Sequence, residues 1–135
     1  MGTRSNIAIV NEDDTVSSIY CHWDGYPSNN GKILLDHYTD KAKVELLISI
    51  GNLSSLGEHI GEVHCFDKCP ENTCNFYGRD RHDSGVGALT LETPSLESYL
   101  KEDTEEYCYV FINGKWKYRA NSNELEDLTQ EDCED

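Results

Sequence analysis

The sequence predicts an α+β fold: a mainly antiparallel sheet with two or three helices on one face. Three observations predict it. Two strand-like runs, 6–10 and 16–23, flank a polar turn near the start. Two helix-like runs follow directly. Near the end, the run 106–112 and the run 115–119 flank Asn113-Gly114, the dipeptide that favours a two-residue type I′ hairpin.

The elements follow in order. Asn6, Ile7, Ala8, Ile9 and Val10 form the first strand, 11–15 turns, and 16–23 returns as its hairpin partner. Gly25, Pro27, Asn29, Asn30 and Gly31 mark a loop. Ser28 is placed to cap a helix through Ile33, Leu34 and Tyr38. Thr39 is placed to cap a second helix, whose Ala42, Val44, Leu46, Leu47 and Ile50 share one face and which stops at Gly51. The run 52–57 reads as a connector, and 58–73 as loop. Residues 74–77 give a short strand, 78–87 a polar loop with charges of both signs, and 88–91 another strand. Pro94 opens a short helix over 94–100. The expected organisation is one domain over 1–122 and an acidic tail over 123–135, either a single helical turn or disordered.

A chain of 135 residues is long enough for one core without obligatory cross-links. The formal net charge is −15, from 26 acids against 11 bases. From Glu92 onward there are 13 acids and only four bases. A field of this sign repels nucleic acid and anionic membranes and favours partners with basic surfaces. It also keeps a small protein soluble. No apolar run approaches the roughly 18 residues a membrane span needs. No export signal is legible at the start, so a cytoplasmic setting with free thiols is expected for the six cysteines. The first six residues fit a myristoylation pattern loosely, but Asn6 stands where Ser or Thr is needed.

Three clusters carry chemical potential. His64, Cys65, Cys69 and Cys74 have some of the spacing of a zinc site, but no close cysteine pair, and adjacent His64 and Cys65 seldom reach one ion. No metal or other cofactor is expected. Arg79, Asp80, Arg81 and His82 form a second cluster ahead of Gly85 and Gly87. Guanidinium forks suit phosphate or carboxylate, and equally suit salt bridges to Asp80 and Asp83. The third is His22, Trp23, Asp24 and Tyr26. His22 and Asp24, two apart on a strand, point the same way and would make an acid–base pair, or a hydrogen bond locking an aromatic corner. Cys21 faces away, and no nucleophile stands at a diagnostic spacing. Convergence of Arg79 and Arg81 on His22 and Asp24 at one sheet edge is expected.

The opening 1–5, the block Tyr20-Cys21-His22-Trp23-Asp24-Gly25-Tyr26-Pro27 and the block Phe76-Tyr77-Gly78-Arg79-Asp80-Arg81 resemble a family of small bacteriophage and prophage proteins. The resemblance covers most of the chain up to about residue 87. It implies action in the bacterial cytoplasm during infection, and carries over no catalytic residue. The expected function is a non-enzymatic acidic protein that inhibits or modulates a host or anti-phage defence macromolecule by direct contact, with nucleic-acid mimicry as one version. The expected contact residues are His22, Trp23, Asp24, Tyr26, Arg79, Asp80, Arg81 and His82. One alternative is a nucleotide-signal binder, with Arg79 and Arg81 on phosphate and Trp23 or Tyr26 on the base. Another is a small hydrolase using His22 and Asp24. Partners with direct nucleic-acid or membrane contact are not expected; a monomer or an oligomer is compatible with the sequence.

Overall fold

The computed structural model describes residues 3–83, 85, 88–103, 105–120 and 124–134. Met1 and Gly2, the loop end at Gly87 and the expected 122/123 boundary lie outside the described residues. In chain order the elements are β1 (Ser5–Val10), β2 (Val16–Cys21), a π-helical turn (Pro27–Gly31) running into α1 (Lys32–His37), α2 (Lys41–Ile50), β3 (Leu53–Ser55), a 3-10 turn (Phe66–Lys68), β4 (Asn75–Phe76), α3 (Tyr77–Arg81), β5 (Leu91–Thr93), α4 (Leu96–Glu102), β6 (Tyr107–Ile112), β7 (Lys115–Ala120) and β8 (Glu126–Asp127).

All eight strands belong to one sheet, ordered β4-β3-β2-β1-β6-β7-β8, with β5 on the free part of β2. The expected α+β class with a mainly antiparallel sheet is what the structure has. The first hairpin pairs Ser5 with Cys21 through Val10 with Val16. The second turns through Asn113 and Gly114, at φ 51° and 80°, the left-handed pair that a type I′ turn requires. The two hairpins join where β1 runs parallel to β6, Ser5 opposite Tyr107 and Ile9 opposite Phe111. β1 is therefore central, which suits its apolar sequence.

Alternation splits the sheet residues between two cores. Ile7, Ile9, Ile19, Cys21, Tyr109, Phe111 and Trp116 face Leu34, Tyr38, Val44, Leu47 and Ile48 of the α1–α2 layer. Ala8, Val16, Cys108 and Val110 face Tyr99 of α4. The expectation of helices on one face is thus corrected: α4 covers the opposite face, and there are four helices among the described residues. Trp116 bolts the first layer to the sheet by donating its indole N–H to the carbonyl of Tyr38 at 2.9 Å.

Local chemistry explains the other departures. Pro27, with its fixed φ, starts the first helical segment, and Ser28 is not its cap. Asp40 caps α2 instead of Thr39; its carboxylate accepts from the N–H of Ala42 at 3.2 Å and suits the positive end of the helix. The connector 52–57 contains strand β3, and the polar loop 78–87 opens with helix α3. The strand expected over 88–91 lies at Leu91–Thr93, where it pairs with Val16, Ser17 and Ser18.

The acidic end is the largest departure. Residues 124–134 do not hang free. Glu126 and Asp127 pair with Tyr118 and Lys117, and Leu128 and Cys133 are buried. Asp132 accepts from the N–H and hydroxyl of Thr129 at 2.9 and 2.8 Å. Leu128 and Cys133, with Leu125 half-buried against the second core, seat this largely acidic run on the edge of β7. No helix among the described residues is long and apolar enough to cross a membrane.

Candidate functional site

The aromatic corner grows from the end of β2. His22 and Trp23 extend the strand by donating to the carbonyls of Leu53 and Ser54 at 3.1 and 3.0 Å. Asp24 then takes a left-handed conformation, φ 56°, which Asp tolerates better than most residues. The reversal leaves Trp23 and Tyr26 at the surface, 43% and 38% exposed.

The layer beneath is closely built. A Cβ on Gly25 would lie 2.8 Å from the Cβ of Ser5 and from the carbonyl oxygen of Thr3, so only glycine fits. The N–H of Gly25 donates to that carbonyl at 2.8 Å. Tyr109, from β6, donates its hydroxyl to the carbonyl of Gly25 at 2.6 Å. Asn30 is fully buried and donates to Ser5 Oγ and Cys21 Sγ at 3.3 and 3.4 Å. Asn29 donates to the carbonyl of Asp24 at 3.2 Å. The corner is therefore fixed before any partner arrives.

The expected His22–Asp24 pairing is not made. The Tyr20 hydroxyl stands 2.7 Å from His22 Nδ1, and the His22 ring meets Trp23 edge to face. The Asp24 carboxylate instead takes the Tyr26 hydroxyl, at 3.5 Å. Alternation sends His22 toward Tyr20, one strand position back on the same face, while the left-handed turn swings Asp24 away.

In the second cluster, Arg79 and Asp80 are committed to groups of the chain itself. All five N–H groups of Arg79 are engaged within the chain. Nε donates to Asp80 Oδ1 at 2.9 Å, and Nη1 to the carbonyls of Ile60 and Gly61, each at 2.9 Å. Nη2 donates to the carbonyl of Cys74 at 3.1 Å and to Asp80 Oδ2 at 3.2 Å. The guanidinium also lies over the Phe76 ring. The fully buried Asp80 carboxylate further accepts from the N–H of His64 and of Phe76 at 3.1 and 2.8 Å. Burial pushes its pKa up, but Arg79 and the two backbone donors outweigh burial and hold it below the usual carboxylate value. Arg81 pairs with Asp83 at 2.7 Å and lies over Phe66 and Tyr77. His82 ends α3 in a left-handed conformation and is exposed. His22 and Asp24 find their partners in the corner, and Arg79 and Arg81 find theirs in the 59–83 segment. No described contact joins the two sets into the expected shared site.

The cysteine-rich loop is organised by that same carboxylate. His64 Nε2 stands 3.3 Å from Asp80 Oδ2, 3.1 Å from the carbonyl of Cys74 and 3.7 Å from Cys69 Sγ. Cys74 faces the core beside the Tyr38 hydroxyl, and Cys65 is exposed. Among the described residues no group of three or more His, Cys, Asp or Glu side chains is placed to hold a metal ion.

A third feature escaped the sequence reading. On the α4 side of the sheet, a cavity of about 370 Å³ opens between β1, β2, α4 and 89–91, lined by residues including Tyr20, Leu91, Tyr99 and Glu102. Its floor is organised by Asp103, whose buried carboxylate accepts from Asn6 Nδ2 and from Arg119 at 3.1 Å. The legible signal was Ser18, Tyr20 and His22 alternating onto one face of a strand, a polar row where a closed core would place apolar residues.

The basic side chains are largely used up internally. Lys32, Lys41, Lys101 and Lys117 pair with Asp36, Glu12, Glu97 and Asp127. Arg119 pairs with Asp103. Lys43 donates to the carbonyls of His37 and Glu58. What faces outward is predominantly carboxylate.

No protein-family model, curated protein or solved structure matches the chain.

Proposed function

We propose that this is a non-enzymatic acidic binding protein that acts by direct contact with a macromolecule bearing a basic surface. The observation that carries the reading is the fixed aromatic corner, Trp23 and Tyr26, held out from a chain whose bases are mostly paired internally. Exposed aromatics on a rigid support are the side chains from which interface hot spots are built, because little ordering remains to be done on binding. The surrounding carboxylates supply attraction at a distance and orientation at contact. The resemblance to bacteriophage proteins adds the setting: a host or defence protein of the bacterial cytoplasm as target, inhibited or modulated by contact, with nucleic-acid mimicry as one form. The nucleotide reading is weaker, since it needs an Arg79 guanidinium whose donors are committed elsewhere. The hydrolase reading lacks its His22–Asp24 pair.

The test is affinity capture from bacterial lysate, with the captured mass measured under native conditions. The wild-type chain is expected to retain a protein at fixed stoichiometry, less so as salt rises. The double variant W23A/Y26A is expected to lose it by roughly 30-fold or more, the scale of a hot-spot pair, with an unchanged circular dichroism spectrum. Retention that ignores both salt and the double variant would overturn the reading. A co-purifying nucleotide would turn it toward the small-ligand alternative.

A further inference from the structure

The cavity on the α4 side is lined by residues other than the exposed Trp23 and Tyr26 of the corner, and touches the corner only through Tyr20, whose hydroxyl meets His22. Its size, about 370 Å³, falls in the range of small-molecule sites. It lies between α4 and the 89–91 segment, whose Leu91 is paired in the sheet with Ser18 of β2. The second core is small there, with Ala8, Val16 and Cys108 under Tyr99.

Three properties of the lining go beyond packing. Leu89 and Leu91 are 60% and 54% exposed and both line the opening. Large apolar side chains left in water beside a cavity offer a surface for an apolar body. The polar groups are held in place: Tyr20 by its hydroxyl against His22, and Asn6 by Asp103, itself held by Arg119. The lining also combines two aromatic residues, Tyr20 and Tyr99, with the carboxylate residues Glu102 and Asp103. Glu102 is exposed, and the chain around it is strongly negative.

We propose that this cavity binds a small organic cation, an ammonium group on an apolar or aromatic body. Aromatic walls attract a cation through the negative faces of their rings. The carboxylate of Glu102 adds a charged partner, and the leucines cover the body. An anion of the same shape meets repulsion, and a neutral isostere gains only the apolar contact.

The test is a titration of the isotope-labelled chain followed by amide NMR shifts. Three probes share one ring: benzylammonium, benzyl alcohol and benzoate. The expected result is saturable movement of Ser18, Tyr20, Leu91 and Glu102 with benzylammonium. Binding of benzyl alcohol is expected to be at least tenfold weaker, and benzoate is expected to have no effect. E102Q is expected to weaken benzylammonium several-fold while leaving benzyl alcohol unchanged. Tyr20→Leu, which keeps an apolar side chain but removes the ring, is expected to weaken it as well. L91A supplies a surface variant that leaves the fold in place and also lowers affinity. Equal binding of alcohol and ammonium would overturn the proposal. So would shifts scattered over the acidic surface and indifferent to E102Q, the mark of counterion attraction alone. A short lysine peptide binding the cavity more tightly than benzylammonium would also overturn it, in favour of a partner's side chain.

Discussion

The hydroxyl of Tyr109 lies 2.6 Å from the carbonyl oxygen of Gly25, so strand β6, next to the central β1, holds the aromatic corner directly, across 84 positions of sequence. Tyr109 is fully buried, and burial drives its hydroxyl far above the ordinary tyrosine pKa, so it remains a donor throughout the physiological range. Y109F keeps the ring and leaves the Gly25 carbonyl without its partner. The expected cost is about 1–3 kcal/mol in denaturant unfolding. Amide exchange is expected to speed up at Gly25 and Asn30 more than at the far end of β1. Uniform exchange in the variant would mean that the corner is held by Asn30 and Gly25 packing alone.

Arg79 and Arg81 stand two residues apart and are expected to respond very unequally to truncation. R79A removes the partner of a buried carboxylate and strips donors from three carbonyls, at an expected cost of about 3–5 kcal/mol. R81A removes an exposed pair with Asp83, worth about 0–1 kcal/mol. The sign of the pH dependence follows from Asp80, whose folded pKa is depressed. Its contribution is fully present above the unfolded Asp value of about 3.9, and is lost as pH falls through the lower folded value. Wild-type stability is therefore expected to decline on acidification below about pH 4. D80N, already weakened at neutral pH, is expected to show a shallower decline, as read by denaturant midpoints at stepped pH.

The hairpins were legible because their signals are local. Asn113-Gly114 carries its own backbone requirement, and the apolar runs beside it alternate cleanly. The parallel β1–β6 pairing that joins the hairpins was not legible, since it depends on residues about 100 positions apart. The corner was legible as a composition, Tyr20 through Pro27, but its wiring was not. His22 found Tyr20 instead of Asp24 because Asp24 entered the left-handed region; the adjacent Gly25 marked a turn there but not which residue would take that conformation. Arg79 read as a ligand-binding group because arginine chemistry is the same toward phosphate and toward carbonyl oxygens. Only the folded loop 60–74 reveals which of them it meets. The seating of Leu128 and Cys133 was hidden by the charge around them.

Thiol reactivity offers a test of burial that needs no partner. Burial pushes Cys21 and Cys108 up to about 12, so at pH 8 only about one in ten thousand of either is thiolate. Cys74 and Cys133 are buried as well, and Cys65 is exposed. Brief native alkylation with iodoacetamide is expected to label Cys65 first and Cys69 slowly, with the other four reacting only after denaturation. Early labelling of Cys133 would show that the 124–134 segment leaves the sheet readily.

The acidic end carries both charge and structure, and the two have to be separated before its electrostatic role is measured. Asp127 is paired with Lys117, and Asp132 caps Thr129. Burial, with the neighbouring carboxylates of Glu126 and Asp132, raises the Tyr118 hydroxyl above the ordinary tyrosine value. Neutralising these three would loosen the edge strand along with the field. Glu124, Glu131 and Glu134 are exposed and leave those contacts intact. The triple variant E124Q/E131Q/E134Q is expected to keep the wild-type unfolding midpoint within about 0.5 kcal/mol. Its association with the captured partner is expected to slow by several-fold at low salt while dissociation changes little, because exposed charges act over a screening length of about 10 Å at 0.1 M salt. W23A/Y26A is expected to do the reverse, speeding dissociation and leaving association nearly unchanged. Stopped-flow traces at two ionic strengths distinguish the two. Equal association rates for the triple variant and the wild type at both strengths would leave these carboxylates with solubility as their only role.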